Sequence, residues 1–471
     1  MEGIAPNALL WHRSGIAACA RYTPFLHIPK WRYQTMREAA LMSDWTFFIA
    51  TFGCKVNQYE SQALCEAWEK LGGRRLSAPC GADAVLVNSC AVTARAERDA
   101  RNAMYRVRRE APQARRLLTG CAARLAGGAL QGSDRPHAII PQEAKSLLLQ
   151  GPWLENPDCL SVPKEFPPFC ISAFARARPV LKVQDGCSHR CTYCIVPLTR
   201  GPARSRAPSA ICAEAERLFA AGYRELMLSG INPSQYGRDL HESFDFWDLI
   251  RMLEEQLAPR WAGLTRLRIS SLEPGQLDAK GLDCLAASRL LCPHLHVSLQ
   301  SGSPEILRRM GRGHIRLERL VSAVRRLPAI RPVMGLGADI LVGFPGETEA
   351  HVLESLAIVE TLGLSYAHVF PYSRRPGTAA ADMSDQLPRQ EKAARAARLR
   401  EAVAVRQQTF LHKLLALPSL RLHLDGPRAW KGVDAHYAPC RLIRSHEQRG
   451  HELLTVYPVR VEDGKLLVEP A

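Results

Sequence analysis

Residues 181–206 read LKVQDGCSHRCTYCIVPLTRGPARSR. The run VLKVQ (180–184) has strand character, and Cys187, Cys191 and Cys194 follow it in a C-x3-C-x2-C spacing. Three thiolates on one compact loop can wrap one face of an iron–sulfur cubane. A [4Fe–4S] cluster ordinarily takes four thiolates, so three leave one iron open to a bidentate small molecule. Zinc sites and thioredoxin-type pairs use C-x2-C without a third cysteine four positions earlier. The preceding strand and the aromatic Tyr193 make the pattern more specific than the spacing alone.

Downstream of this loop, strand-like runs alternate with helical stretches. The strands are ELMLSG (225–230), RLRISS (266–271), HLHVSLQ (294–300), GADILVG (337–343) and YAHVFPY (366–372). Helical patterns near 208–221, 245–257, 276–288, 304–326 and 349–362 separate them. This order predicts a central partial (β/α)6 barrel, in which sites form at the carboxyl ends of the strands. Small and polar residues stand at those ends: Ser229-Gly230-Ile231-Asn232, Ser270-Ser271-Leu272-Glu273, Ser298-Leu299-Gln300-Ser301-Gly302 and Gly343-Phe344-Pro345-Gly346-Glu347. Each lets a cofactor backbone approach closely.

Upstream, residues 45–150 alternate in the same way and predict a parallel sheet covered by helices. WTFFIATFG, AVLVNSC and RRLLTGC read as strands; NQYESQALCEAWEKLGG, TARAERDARNAMYRVRRE and AARLAGGAL read as helices. HAIIP and KSLLLQ continue the alternation. Cys54, Cys90 and Cys121 each follow a strand, so three thiols separated in sequence should converge at one sheet edge. A three-cysteine iron–sulfur site suits them; a zinc site and three unrelated buried cysteines are the competing readings. Residues 151–179 are Pro-rich and read as a linker, and 389–413 as a charged helix.

Taken together, the 181–206 loop resembles the S-adenosylmethionine-binding loop of the radical SAM superfamily. The wider set ATFGCKVNQYES, VNSCAVT, LTGCAA, LSGIN, RISSLEP, SLQSGS, ILVGFPGET and HVFPYSRRPGT resembles the methylthiotransferase family over about 45–412. TFGCKVNQYES and HVFPYSRRPGT are most similar to the branch acting on threonylcarbamoyladenosine beside the tRNA anticodon. The resemblance implies two [4Fe–4S] clusters, one on Cys187, Cys191 and Cys194 and an auxiliary one on Cys54, Cys90 and Cys121. It implies that Tyr193, Ser229, Gly230, Asn232, Ser298, Gln300 and Gly343 lie on the S-adenosyl-L-methionine side. One cofactor molecule would donate a methyl group to sulfur at the auxiliary cluster. A second would be cleaved to a 5′-deoxyadenosyl radical that abstracts hydrogen from adenine C2. An electron donor such as flavodoxin or ferredoxin is implied as well, with the sulfur donor left open. The family also places a small nucleic-acid-binding β-barrel, the TRAM domain, after the charged helix. Residues 414–471 match it as a diverged version, with eight Lys/Arg against seven Asp/Glu.

Composition agrees with a cellular partner of negative charge. The 471 residues carry a net charge of +16 and 46% hydrophobic residues. That makes a globular chain with a polyanionic partner, nucleic acid first. No apolar run reaches the ~18–20 residues of a membrane span. Fifteen cysteines, an odd number, argue against a secreted disulfide framework and for a reducing compartment, so a cytoplasmic location is expected. The Arg-rich helices near 93–110 and 389–413 are the candidate tRNA-backbone surfaces, with solvated helix faces as the plainer reading. Residues 1–44 precede all regular patterning and read as a disordered tail or an over-extended start. The alternatives to tRNA threonylcarbamoyladenosine as substrate are isopentenyladenosine and a ribosomal-protein aspartate. Outside enzymes, the alternative is an RNA-binding iron–sulfur protein without turnover. Asp185, Glu273 and Asp339 lie near strand ends as candidate bases or as capping residues.

Overall fold

In the computed structural model, residues 44–123, 130, 132–154, 165–240, 243–426, 429–444 and 452–471 are described. The N-terminal tail, most of the helix expected over 122–130 and Cys159 lie outside the described residues.

The first sheet is built from β1 (Thr46–Thr51), β2 (Arg74–Arg75), β3 (Ala84–Ser89), β4 (Arg115–Gly120) and β5 (Ala138–Ile139). All pairs are parallel, in the order β2-β1-β3-β4-β5. Strand alternation sends successive side chains to opposite faces. Phe47, Ile49, Leu86 and Leu117 therefore meet α1 (Lys55–Lys70) through Tyr59, Leu64 and Trp68. Val85, Val87 and Leu118 meet α2 (Ala94–Glu110) through Ala100, Met104 and Val107. Thr93 caps α2, its hydroxyl accepting from the Ala96 N–H at 3.1 Å. Gln142–Gln150, which carries KSLLLQ, forms a 3-10 helix whose Leu148 fills the same core.

Two three-stranded parallel sheets follow. One joins β6 (Val180–Lys182), β9 (Glu225–Ser229) and β10 (Arg266–Ile269); the other joins β11 (His294–Gln300), β12 (Gly335–Val342) and β13 (Tyr366–Pro371). Parallel bridges at Leu267–Leu291 and Leu272–Val297 link the two. The expected strand 180–184 is split. Gln184–Asp185 (β7) turns aside to pair antiparallel with Arg204–Ser205 (β8), so a small hairpin frames the cysteine loop. Between them lies the short α3 (Val196–Arg200). Helices α4 (Pro208–Ala220), α5 (Phe246–Trp261), α6 (Ala279–Ala287), α7 (Pro304–Arg309), α8 (Leu317–Ile330) and α9 (Glu349–Leu362) cover the outside. The single helix expected over 304–326 is two, broken where Gly311 and Gly313 interrupt it.

One continuous apolar core runs from Phe47 and Trp68 through Leu181 and Leu226 to Val342 and Leu399. Residues 45–471 form one compact unit. Helix α10 (Arg389–Leu415) is a strut along β13, and several of its cations serve the protein itself. Arg395 is buried and paired with Glu347 and Glu391. Arg398 pairs with Glu349, Arg406 with Glu360, and Arg400 donates to the Val369 carbonyl.

The C-terminal strands β14 (Leu420–Leu424), β15 (Lys431–Asp434), β16 (Pro439–Leu442), β17 (Leu453–Glu462) and β18 (Lys465–Pro470) close into a barrel in the order β14-β15-β16-β18-β17. It docks at the strand starts of the parallel sheets. Arg268 donates to the Asp434 and Ala435 carbonyls at 2.9 and 3.0 Å, while Glu225 holds both Arg266 and Arg268. The cysteine loop lies at the other ends of the strands.

Candidate active site at the seam of two sheets

Each thiol triplet is placed by backbone geometry that its neighbours impose. In the first sheet, Thr51 of β1 lies beside Asn88 of β3, and Ser89 beside Gly120 of β4. The next residues in chain are therefore at one edge. Asn57 clamps that edge, its amide donating at 2.9 Å to both the Phe52 and Ser89 carbonyls. Gly120 has φ +96°, and a Cβ there would strike the Ser89 backbone. Only glycine lets β4 come close enough for the Cys121 N–H to donate to Ser89 O at 3.1 Å. Cys54 is the N-cap of α1, and Gly53 lies directly against Cys90 Sγ. Burial pushes the Cys90 thiol up to about 11.

The second triplet sits on a loop pinned at both ends. Gly186, at φ +67°, runs against the Pro202 carbonyl, and the Cys187 N–H donates to Gly201 O at 3.0 Å. The Thr192 N–H donates to Met310 O at 3.0 Å, and its hydroxyl to Arg309 O at 2.9 Å. Burial raises the thiols of Cys191 and Cys194, the latter to about 12. Protons on such thiols must leave before a metal binds, the ordinary coupling of metal affinity to deprotonation.

The other sequence-derived positions fall in three groups. Gln184, which sequence reasoning did not single out, ties two of them to the loop. Its amide donates to the Asp185 and Gly186 carbonyls, and its oxygen accepts from the Asn232 N–H at 2.8 Å. Gly230 packs on its side chain beside Ser229, and Asn232 reaches Cys187 Sγ at 3.8 Å. Ser298 and Gln300 stand at the end of β11, where Gln300 has φ +70°. The Ser298 carbonyl accepts from Arg312, which also pairs with Glu273 and approaches Cys191 Sγ at 3.8 Å. Tyr193 and Gly343 make other contacts. Tyr193 packs against the cluster of Ile306, Met310, Phe344 and Tyr372. The Gly343 N–H is taken by Glu347 at 2.7 Å, and Lys392 covers its Cα.

Residues between the two triplets join them. Ile195, next after Cys194, is buried in the same apolar cluster as Cys121 and Ala122. Arg200 follows and crosses the seam. Its Nε donates to Cys121 Sγ at 3.2 Å, and its other nitrogens to Asn57, Glu60 and Asp185 at 2.6, 2.9 and 2.8 Å. Lys145 and Lys182 complete a fully buried network, reaching Glu60 at 2.6 and 2.7 Å and Asp185, from Lys182, at 2.7 Å. Burial alone would raise Asp185, but Lys182 and Arg200 hold its carboxyl down at about 2. Three cations face two carboxylates, so negative charge from the neighbouring thiolates is welcome there. A cleft lined by Gly120, Cys121, Gln142, Leu198, Thr199 and Pro376 opens beside them. Sequence spacing offers no sign of this network, because its members are up to 143 residues apart.

Both triplets fit an iron–sulfur cluster with three protein thiolates. The six sulfurs are free of disulfides, and the thiols of each triplet lie within electrostatic reach of one another.

Comparison with known proteins agrees. Residues 181–359 match the Radical SAM superfamily, and 46–140 match the Uncharacterized protein family UPF0004. The chain is 32% identical to the threonylcarbamoyladenosine tRNA methylthiotransferase MtaB of Bacillus subtilis, over 75% of this chain and 79% of that protein. It is 35% identical to MtaB of Rickettsia prowazekii, over 75% and 82%. It is 33% identical to the tRNA-2-methylthio-N(6)-dimethylallyladenosine synthase of Syntrophomonas wolfei, over 74% and 80%. Among solved structures, the radical S-adenosylmethionine methyltransferase TsrM of Kitasatospora setae superposes with a TM-score of 0.54 at 17% identity. That match covers 71% of this chain and 77% of TsrM, a likeness of fold. Motif, fold and relatives converge: the chain belongs to the radical SAM methylthiotransferase family, in its threonylcarbamoyladenosine tRNA branch.

Proposed function

We propose that this protein adds a methylthio group to C2 of threonylcarbamoyladenosine next to the anticodon of tRNA. The observation that carries the reading is the joining of two thiol triplets across one seam by Ile195 and Arg200. Two centres that act on one substrate atom must face the same cavity. In this reading 45–150 is the methylthiotransferase domain, 151–179 its linker, 180–388 a partial (β/α)6 radical SAM barrel and 414–471 a TRAM-like barrel. The tail 1–44 has no part in it.

When bound, the cluster on Cys187, Cys191 and Cys194 would supply radical cleavage of S-adenosyl-L-methionine, and the cluster on Cys54, Cys90 and Cys121 would hold the sulfur that is methylated and transferred. The chain's own residues do the rest by position. Gln184 fixes the cysteine loop against the 229–232 turn, so Ser229, Gly230 and Asn232 form one wall of the cofactor site. The Arg312–Glu273 pair braces Cys191 and the end of β11, where Ser298 and Gln300 form the other. Arg200 donates to Cys121 and locks the two halves of the cavity in register. Buried Ile195 keeps water from the seam. A small electron carrier such as flavodoxin or ferredoxin delivers the reducing electron, and the substrate places the enzyme in the cytoplasm. No helix among the described residues is long and apolar enough to cross a membrane. On the barrel, exposed Trp430 and Tyr457 offer stacking faces to RNA where net charge is small.

The test is nucleoside mass spectrometry of tRNA from a strain lacking the gene. The methylthio form of threonylcarbamoyladenosine disappears and returns with the intact gene. Loss of the methylthio isopentenyl nucleoside instead would transfer the enzyme to the sister branch.

A further inference from the structure

Barrels of parallel strands are usually filled with branched apolar side chains. Here the inward faces of β11, β12 and β13 carry a patch of polar side chains. Leu295, Val297 and Leu299 of β11 belong to the outer core, so His294, His296 and Ser298 face the other way. Ala338, Ile340 and Val342 do the same for β12 and turn Asp339 inward; Val369 does so for β13 and turns Tyr366 and His368 inward. His296 Nε2 lies 3.1 Å from Asp339 Oδ1, and a nitrogen of His368 lies within 4.8 Å of both.

The hydrogen bonds assign this cluster. The Tyr366 hydroxyl is 2.8 Å from His294 Nε2 and 2.9 Å from His296 Nδ1. If His294 Nε2–H donates to the Tyr366 oxygen, the Tyr366 O–H donates to His296 Nδ1, and His296 Nε2–H donates to Asp339. Every contact is then satisfied by one tautomer set. The chain ends on Asp339, whose second oxygen has no hydrogen bond or ion pair among the described residues. Lys55 opens the first turn of α1, one residue after Cys54. Asp339 and His368 are within its electrostatic reach. Yet Lys55 makes no hydrogen bond and no ion pair within 4 Å among the described residues. A half-buried cation without a close counter-ion, within electrostatic reach of a carboxylate with an open oxygen, suits a ligand with both an anion and a donor. A divalent metal would suit His296, Asp339 and His368, but the Lys55 ammonium opposes it.

We propose that Lys55, Asp339, His296 and His368 form the subsite for the threonylcarbamoyl group of the target adenine. Lys55 takes the threonyl carboxylate, and Asp339, oriented by His296, accepts from the hydroxyl or a carbamoyl N–H. This rests on the threonylcarbamoyladenosine reading above. Lys55 stands next to a thiol of the auxiliary site, so an adenine presenting C2 there brings its N6 substituent to these groups. Lys55 and His368 also lie in TFGCKVNQYES and HVFPYSRRPGT, the two segments that set the branch. An apolar dimethylallyl group would leave Lys55 and Asp339 unpaired, the basis on which polar sites reject apolar analogues.

The test measures binding by the full, cluster-reconstituted chain to three synthetic anticodon stem-loops, with iron counted on every preparation. One carries adenosine, one threonylcarbamoyladenosine, and one its threonyl methyl ester. The intact protein prefers the free acid over both others by about tenfold or more. Lys55→Met erases that preference, Lys55→Arg restores much of it, and His368→Phe narrows it. Equal binding of acid and ester overturns the proposal without any variant, which decides the matter if Lys55→Met fails to take up iron. An iron-replete Lys55→Met that keeps the preference overturns it too. If the intact enzyme methylthiolates only isopentenyladenosine tRNA, the substrate reading itself has failed. If it methylthiolates threonylcarbamoyladenosine and Lys55→Met does so with unchanged KM, this subsite alone has failed.

Discussion

The two thiol triplets reach similar ends by opposite routes. Cys187, Cys191 and Cys194 lie on eight consecutive residues, and the loop needs only pinning at Gly201 and Met310. Cys54, Cys90 and Cys121 come from three strands and exist as a group only while β1, β3 and β4 hold register. The first triplet is a local motif supported by the fold. The second is a product of the fold. A local motif should tolerate loosening of its surroundings, whereas an assembled one should not.

The largest effect separates the two groups outright. Replacing Cys187, Cys191 and Cys194 together by Ala should lower iron in the reconstituted protein from about eight to about four per chain. Replacing Cys54, Cys90 and Cys121 should do the same, and either change abolishes methylthiolation. A single four-iron complement in the intact protein would break the two-cluster mechanism.

Arg200→Met tests the seam. It leaves Glu60 and Asp185 with fewer cations and removes the donor to Cys121. Breaking a buried ion-pair network in this way costs about 3–5 kcal/mol. The urea midpoint should fall, and iron should be lost from the assembled triplet before the loop triplet. Equal loss from both would erase the contrast.

Gly120→Ala is a narrower probe of the assembled site. At φ +96°, with the Ser89 backbone in the way, the new methyl must push β4 from β3. A strained left-handed alanine alone costs about 1–3 kcal/mol. Iron bound by the Cys54 group should drop, and iron bound by the Cys187 group should not; spectroscopy of the two single-cluster variants resolves them.

Acid gives a smaller, graded effect. The Asp185 carboxyl is held at about 2 in the folded protein. An unfolded Asp titrates near ~3.9. A depressed folded value means stabilisation that is complete above about pH 4 and lost as pH falls through about 2. The urea midpoint should decline across that window, and Asp185→Asn should flatten the decline. A variant that declines as steeply as the parent would remove Asp185 from the account.

The same contrast explains what could be read from the chain alone. The loop triplet is visible because its ligands are neighbours in sequence. The assembled triplet is visible only indirectly, through the rule that parallel βα units present functional residues at their strand ends. The Arg395 side chain shows the limit. In a helix of many cations nothing in the sequence marks it as buried, yet Glu347 and Glu391 enclose it.

By itself, the sequence determined the alternating βα architecture through its periodicity, and the resemblance of its motifs to a known family pointed to the six cysteines and the branch. Tertiary structure alone decided that Arg200 meets Cys121, that Lys145 and Lys182 share Glu60, and that Lys55 comes within electrostatic reach of Asp339. The physical reason is that buried charges are tolerated only where partners from distant segments converge, and convergence is a property of packing.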